Sequence, residues 1–161
     1  MRKTSLVAAI SLAVTTAASG SYADSIIEEV IVTAQKREQA ITDVALSVTA
    51  VSGEVARTMG IEDTRDVAML ATNVDIKGAG LADANPAITV RGIGMNNFNA
   101  NNNPSVGAYL DEVFLASPAM INLSMLDVGR IEVLKGPQGT LYGRNATGGA
   151  LNIISAKPTQ D

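Results

Sequence analysis

The sequence predicts an α+β fold: a small mixed β-sheet with short helices and glycine-rich loops. Three observations predict it. Arg130–Ile154 reads as strand, tight turn, ordered loop and strand. Several other short alternating runs are separated by capped helical turns of only one or two turns each. No internal repeat is present, and the aromatic content is too low for a barrel wall.

The strand–turn–strand unit comes first because it is the most constrained. Ile131 and Val133 fall on one face of an alternating run and Arg130 and Glu132 on the other, the period of a half-buried strand. Gly136-Pro137 interrupts it, since proline has no N–H for a ladder. Glycines at 136, 139, 143, 148 and 149 follow, and Leu151 and Ile153 resume a buried face. Glycine this dense between two good strands implies tight turns or close backbone approach.

From the start of the chain, Arg2 and Lys3 precede an apolar run over 6–18, and Ser21-Tyr22-Ala23 supplies small residues for cleavage. Residues 1–23 therefore read as a secretory signal peptide, too short in its apolar core for a spanning helix, which needs about 20 residues. The full chain carries 12 Lys+Arg and 16 Asp+Glu, a net charge of −4. Without Arg2 and Lys3 the balance is 10 against 16, or −6, which disfavours nucleic acid as a partner. There is no cysteine and no histidine, so neither a disulfide framework nor a zinc, haem or copper site is expected, and no cofactor. The five aromatics are Tyr22, Phe98, Tyr109, Phe114 and Tyr142, against the aromatic girdles that a transmembrane barrel requires.

Residues 24–40 read as a flexible segment around the β-forming run Val30-Ile31-Val32-Thr33, with no partner strand in view. The run is either the frayed first strand of the domain or a strand offered to another protein by β-augmentation. Residues 41–161 form the domain. A strand over 45–51 is followed by Ser52 as N-cap, a helix over 53–59 and Gly60 as its stop. Asp63 caps a second short helix with Val67, Leu70 and Ala71 on one face, Asn73 ends it, and 74–77 is a brief strand. A polar loop over 78–86 leads to a strand over 87–91. The asparagine-rich stretch 96–103 is a loop, either a solvated connection or a polar ligand surface with Phe98 as its apolar contact. Runs 106–110 and 113–115 flank Asp111-Glu112, a two-residue hairpin turn lacking the glycine such turns prefer. Ser117-Pro118 starts a helix to about Met125.

Catalytic constellations fail. Gly92-Ile93-Gly94 leads to Asn97 and further asparagines rather than a helix, so a dinucleotide fingerprint is not met. Gly143 to Gly148 lacks the lysine and hydroxyl residue of a phosphate loop. Without histidine there is no Ser/His/Asp triad, and an enzyme is not expected.

EEVIVTA at 28–34, ITVRGIG at 88–94, VGAYLDEVFL at 106–115 and DVGRIEVLKGPQGTLYGRNATGGALNII at 127–154 together resemble the N-terminal part of TonB-dependent outer-membrane receptors. Gly129 departs from the family's usual charged residue and Glu112 from its usual glycine. The resemblance implies a plug domain inside an outer-membrane barrel of about 22 strands. That barrel would lie in further sequence or in a separate chain, since these residues end where it should begin. TonB would grip a box and drive energised uptake of a scarce nutrient, with an iron–siderophore complex as the expected cargo. By resemblance, Glu29, Val30, Ile31, Val32, Thr33 and Ala34 contact TonB, and Asn96, Asn97, Phe98, Asn99, Asn101, Asn102 and Asn103 form part of the ligand surface. Arg91, Glu132 and Arg144 meet the barrel wall, although solvated strand-face charges would look the same in sequence. The alternative is a free-standing periplasmic module that binds TonB or ligand.

Overall fold

The computed structural model describes residues 30–78, 85–95, 103–122 and 127–158. The proposed signal peptide, Glu29 and residues 96–102 lie outside these ranges. The architecture is α+β, with three sheets and a few short helices.

The chain opens in a small antiparallel hairpin, β1 (Ile31–Val32) against β2 (Gln39–Ala40), with Ile31 opposite Ala40. The partner strand was not legible, because its connection turns at Lys36, with φ 57°, rather than at glycine, asparagine or proline. Nor is the segment free from Val30 onward: Val32 and Ala34 are fully buried against the domain.

β3 (Ser47–Ser52) leads directly into α1 (Gly53–Thr58), and the Ser52 side chain accepts from Val55 N–H as its N-cap. The second helical turn, Thr64–Met69, is a 3-10 helix started by a reciprocal cap between Asp63 and Asp66. Asn73, at φ 62°, closes that turn before β4 (Val74–Lys77). β5 (Ala87–Val90) and β6 (Ile93–Gly94) form a hairpin through Arg91-Gly92, and β4 pairs with β5 to make a three-stranded sheet.

β7 (Val106–Leu110) and β8 (Val113–Phe114) form the expected hairpin. Asp111 and Glu112 both take positive φ, 47° and 68°, the backbone of a type I′ turn despite the missing glycine. Asp111 is fastened in return: its carboxylate accepts from Ser155 N–H at 2.9 Å and from the Ser155 hydroxyl at 2.8 Å. α2 (Pro118–Ile121) is shorter than expected, and residues 123–126 lie outside the described ranges.

β9 (Val128–Lys135), α3 (Gly139–Tyr142) and β10 (Gly149–Ser155) form the strand–turn–strand unit. They complete a five-stranded sheet in the order β3-β9-β10-β7-β8, in which β10 and β7 run parallel and the other pairs antiparallel. β9 and β10 are interior strands, and this overturns the half-buried expectation: Ile131, Glu132, Val133 and Leu134 are all buried. One face carries Ile131, Val133, Leu151, Ile153, Val106 and Ala108, and packs with residues of α1, the 3-10 turn, β4 and β5. The other carries Leu134, Ala150 and Tyr109, and is covered by Val32, Ala34, Val44, Tyr142 and Ala146. The N-terminal hairpin is thus a lid over one sheet face.

Gly149 and Gly143 show why this unit is rich in glycine. A Cβ on Gly149 would stand 2.4 Å from the Leu134 carbonyl oxygen, so the β9–β10 crossing admits no side chain there. Gly143 ends α3 at φ 79°, ψ −177°, a combination open essentially to glycine alone. Space around it is open, so backbone strain is the whole penalty for substitution. Gly143→Val should destabilise the chain by about 1–3 kcal/mol, read as a lower urea midpoint with an unchanged denaturant slope. An unchanged midpoint would show that this backbone conformation is not required.

Candidate functional site

The residues that hold the N-terminal hairpin to the sheet form the most organised polar cluster described. It is built on one row across the sheet, in which Ala50, Glu132, Asn152 and Tyr109 stand side by side. Glu132 and Asn152 are 0% and 2% exposed. A buried carboxylate is costly unless its lone pairs are filled, so its partners decide whether the site is viable.

Glu132 Oε1 accepts from the backbone N–H of Thr33 at 2.7 Å and from Arg130 Nε at 2.7 Å. The Thr33 hydroxyl stands 3.2 Å and 3.4 Å from the two carboxylate oxygens. Asn152 Nδ2 approaches Oε2 at 3.4 Å and the Thr33 hydroxyl at 3.5 Å, while Arg130 donates to that hydroxyl at 3.2 Å. A hydroxyl has one proton to give and two lone pairs to accept with. Thr33 gives its proton to the carboxylate and receives from Arg130 and Asn152, so its capacity is filled. The Arg130–Glu132 pair is half-shielded, with the arginine side chain 24% exposed.

A second set of contacts is centred on Tyr142. The Tyr109 hydroxyl donates to the Tyr142 carbonyl. The Tyr142 hydroxyl donates to the Ala34 carbonyl at 3.1 Å, and Lys36 Nζ sits 5.7 Å from the Tyr142 ring centroid. The Tyr109 and Tyr142 rings meet edge-on at 5.0 Å. Burial, reinforced by the charges of Glu132 and Glu112, holds the Tyr142 phenol well above its ordinary range, so it stays protonated and able to donate.

The other predicted residues are distributed as follows. Val30 and Ile31 are exposed, 41% and 39%, while Val32, Thr33 and Ala34 enter the cluster; Glu29 lies outside the described residues. Arg91 and Arg144 are exposed, with no carboxylate partner among the described residues, and Arg144 rims a cleft beside Tyr142. Glu132 does not share their placement. A side chain with no exposed surface cannot meet an external wall in this arrangement, and its charge is answered inside the chain. Asn103 is exposed; Asn96, Asn97, Phe98, Asn99, Asn101 and Asn102 lie outside the described residues, so the asparagine surface is not seen. No His/Cys/Asp/Glu group among the described residues is arranged to hold a metal ion. Sequence reasoning missed Asn152, Tyr142 and Arg130 as partners of the N-terminal segment. The available signal was parity: Leu134 and Glu132 share a face of β9, and an apolar residue there marks that face as covered.

Residues 40–150 match the family model described as the TonB-dependent receptor plug domain. The chain belongs to this family. The plug is 46% identical over 56 residues to the pesticin receptor of Yersinia enterocolitica, an alignment covering 35% of this chain and 8% of that receptor. It is 30% identical over 132 residues to the vitamin B12 transporter BtuB of Vibrio vulnificus, covering 80% of this chain and 20% of the transporter. Among solved structures it resembles the ferric yersiniabactin uptake receptor FyuA from Yersinia pestis, with a TM-score of 0.65 and 29% identity over 72% of this chain and 18% of that one. The plug therefore spans about a fifth or less of the length of these relatives.

Replacing Tyr142 with phenylalanine removes the donor to Ala34 and should cost about 1 kcal/mol. The pH dependence has a definite sign. The folded-state pKa of Tyr142 is raised, so its contribution is complete below the ordinary tyrosine value of about 10 and is lost as pH rises above it. Urea midpoints across the alkaline range should fall more steeply for wild type than for Tyr142→Phe. Parallel curves would remove this phenol from the clasp.

Proposed function

We propose that this plug closes the lumen of an outer-membrane barrel and opens it, under TonB's pull, for energised uptake of a ferric siderophore. The family assignment over residues 40–150 is the observation that carries the proposal. FyuA, at 29% identity, and the catecholate siderophore receptor Fiu of Escherichia coli, at 28% identity over 132 residues, favour iron chelates as the cargo class. The relationship to a vitamin B12 transporter keeps cobalamin as the competing cargo.

Each residue group has a role in this scheme. Glu29 to Ala34 supply the backbone that TonB pairs with, by strand addition. Arg91 and Arg144, exposed and without a carboxylate partner among the described residues, meet carboxylates of the barrel wall. A guanidinium in such a position suits a forked, two-bond contact. Asn96 to Asn103, with Phe98, face the incoming ligand and recognise it through neutral amides. No group among the described residues is arranged to hold a metal ion, and in this scheme the cargo brings its own iron.

The test is uptake of labelled ferric siderophores by iron-starved cells expressing the receptor that carries this plug, with and without TonB. A peptide covering residues 24–40 is titrated in parallel against the periplasmic domain of TonB. TonB-dependent accumulation and saturable peptide binding are expected. Accumulation indifferent to TonB, together with a peptide that does not bind, would refute the proposal. Uptake of cobalamin alone would keep the transport scheme and replace its cargo.

A further inference from the structure

The proposed TonB-contacting segment is divided in two. Val30 and Ile31 are exposed and line a cleft of about 370 Å³ with Val51, Val55 and Arg130. Val32, Thr33 and Ala34 are held under the sheet: Val32 and Ala34 have no exposed surface, and Thr33 has its N–H and hydroxyl engaged by Glu132. An incoming strand can reach the first pair of residues but not the last three. Full strand addition requires the Thr33–Glu132 contacts to break.

Resting on the proposed function above, we infer that Glu132 is a positioning residue whose buried carboxylate latches Thr33 and sets how readily the segment is released to TonB. Three observations converge. Glu132 sits on an interior strand, paired on both sides, so it cannot follow Thr33 when the hairpin lifts. Thr33 is its nearest backbone donor, at 2.7 Å, and that bond joins residues 99 positions apart. After release Glu132 loses the Thr33 donors and keeps Arg130 and Asn152, and reclosure restores the Thr33 bonds together with the burial of Val32 and Ala34. The latch is therefore charge-assisted and reversible, and the Tyr142 hydroxyl on the Ala34 carbonyl holds the segment beside it.

The experiment uses the full gene product extracted from cell envelopes, with a spin label on Arg37→Cys in the exposed turn of the hairpin; the 161-residue sequence has no native cysteine. In wild type the label should be immobilised. Glu132→Gln keeps the shape and an acceptor but removes the charge, so the mobile fraction should rise about tenfold, and TonB's periplasmic domain should bind correspondingly tighter. Val133→Ala weakens the same strand on its opposite face and should leave the label immobile. If Glu132→Gln is not recovered folded, Thr33→Pro removes the donor from the hairpin side and should free the label likewise. A label equally immobile in wild type, Glu132→Gln and Thr33→Pro overturns the latch, as does equal release in Val133→Ala. Release in Glu132→Gln with no TonB binding by any variant upholds the latch and instead refutes the TonB assignment.

Discussion

A carboxylate with no solvent access governs this domain. Glu132 lies on the strand between β3 and β10, flanked along its own face by Leu134 and Arg130, and it has no exposed surface. Ion pairs in such places gain little over an apolar alternative, because desolvation offsets the attraction. What they impose is geometry: the donors must arrive together and from fixed directions. Arg130 and Asn152 come from the sheet, and Thr33 comes from a separate hairpin. The position of the N-terminal segment is thereby written into the centre of the domain.

The apolar contacts around it act differently. Val32, Ala34 and Val44 cover Leu134, Ala150 and Tyr109. Burying a valine completely is worth about 1.5–3 kcal/mol, but such burial is tolerant of small sliding movements. Hydrogen bonds fail over a few tenths of an ångström. Sliding surfaces and direction-sensitive bonds together make a lid that stays in one register until a polar contact is broken. Tyr142 extends the same logic: its hydroxyl reaches the Ala34 carbonyl, while its own carbonyl accepts from Tyr109. Tension applied at the hairpin would therefore pass to β9 through Thr33, and to α3 through Ala34.

Much of the framework was legible because local chemistry and fold agree. Ser52 and Asp63 cap where expected, β4 has its expected bounds, and Asp111-Glu112 turns the chain. The hidden features share one cause, namely residues whose partners are distant in sequence. Lys36 turns the chain with positive φ without being glycine or asparagine, so its hairpin left no mark, and the Arg91-Gly92 turn was taken up by a strand expected to run to residue 91. Glu132 in an alternating strand looked solvent-facing because periodicity reports which residues share a face, not what covers that face. Thr33 and Asn152, neutral and unremarkable alone, acquire meaning only as its donors. The family resemblance singled out the segment as a candidate TonB contact but gave no sign of its burial, since motif strings carry no record of where a strand docks.

The placement of the three charges once grouped together sharpens the division of labour. Arg91 and Arg144 project outward, and an exposed guanidinium loses little by waiting for a partner in water. Glu132 has its donors already in place within the chain, Thr33 of the hairpin among them. The outward arginines therefore suit contacts that form once, on assembly with a wall. The inward glutamate suits a contact that is broken and remade, because reclosure restores the Thr33 bonds and the burial of Val32 and Ala34. A reversible stopper needs both kinds, permanent anchorage at its rim and a restoring force at its moving part. On the proposed latch, that moving part is the hairpin over Glu132.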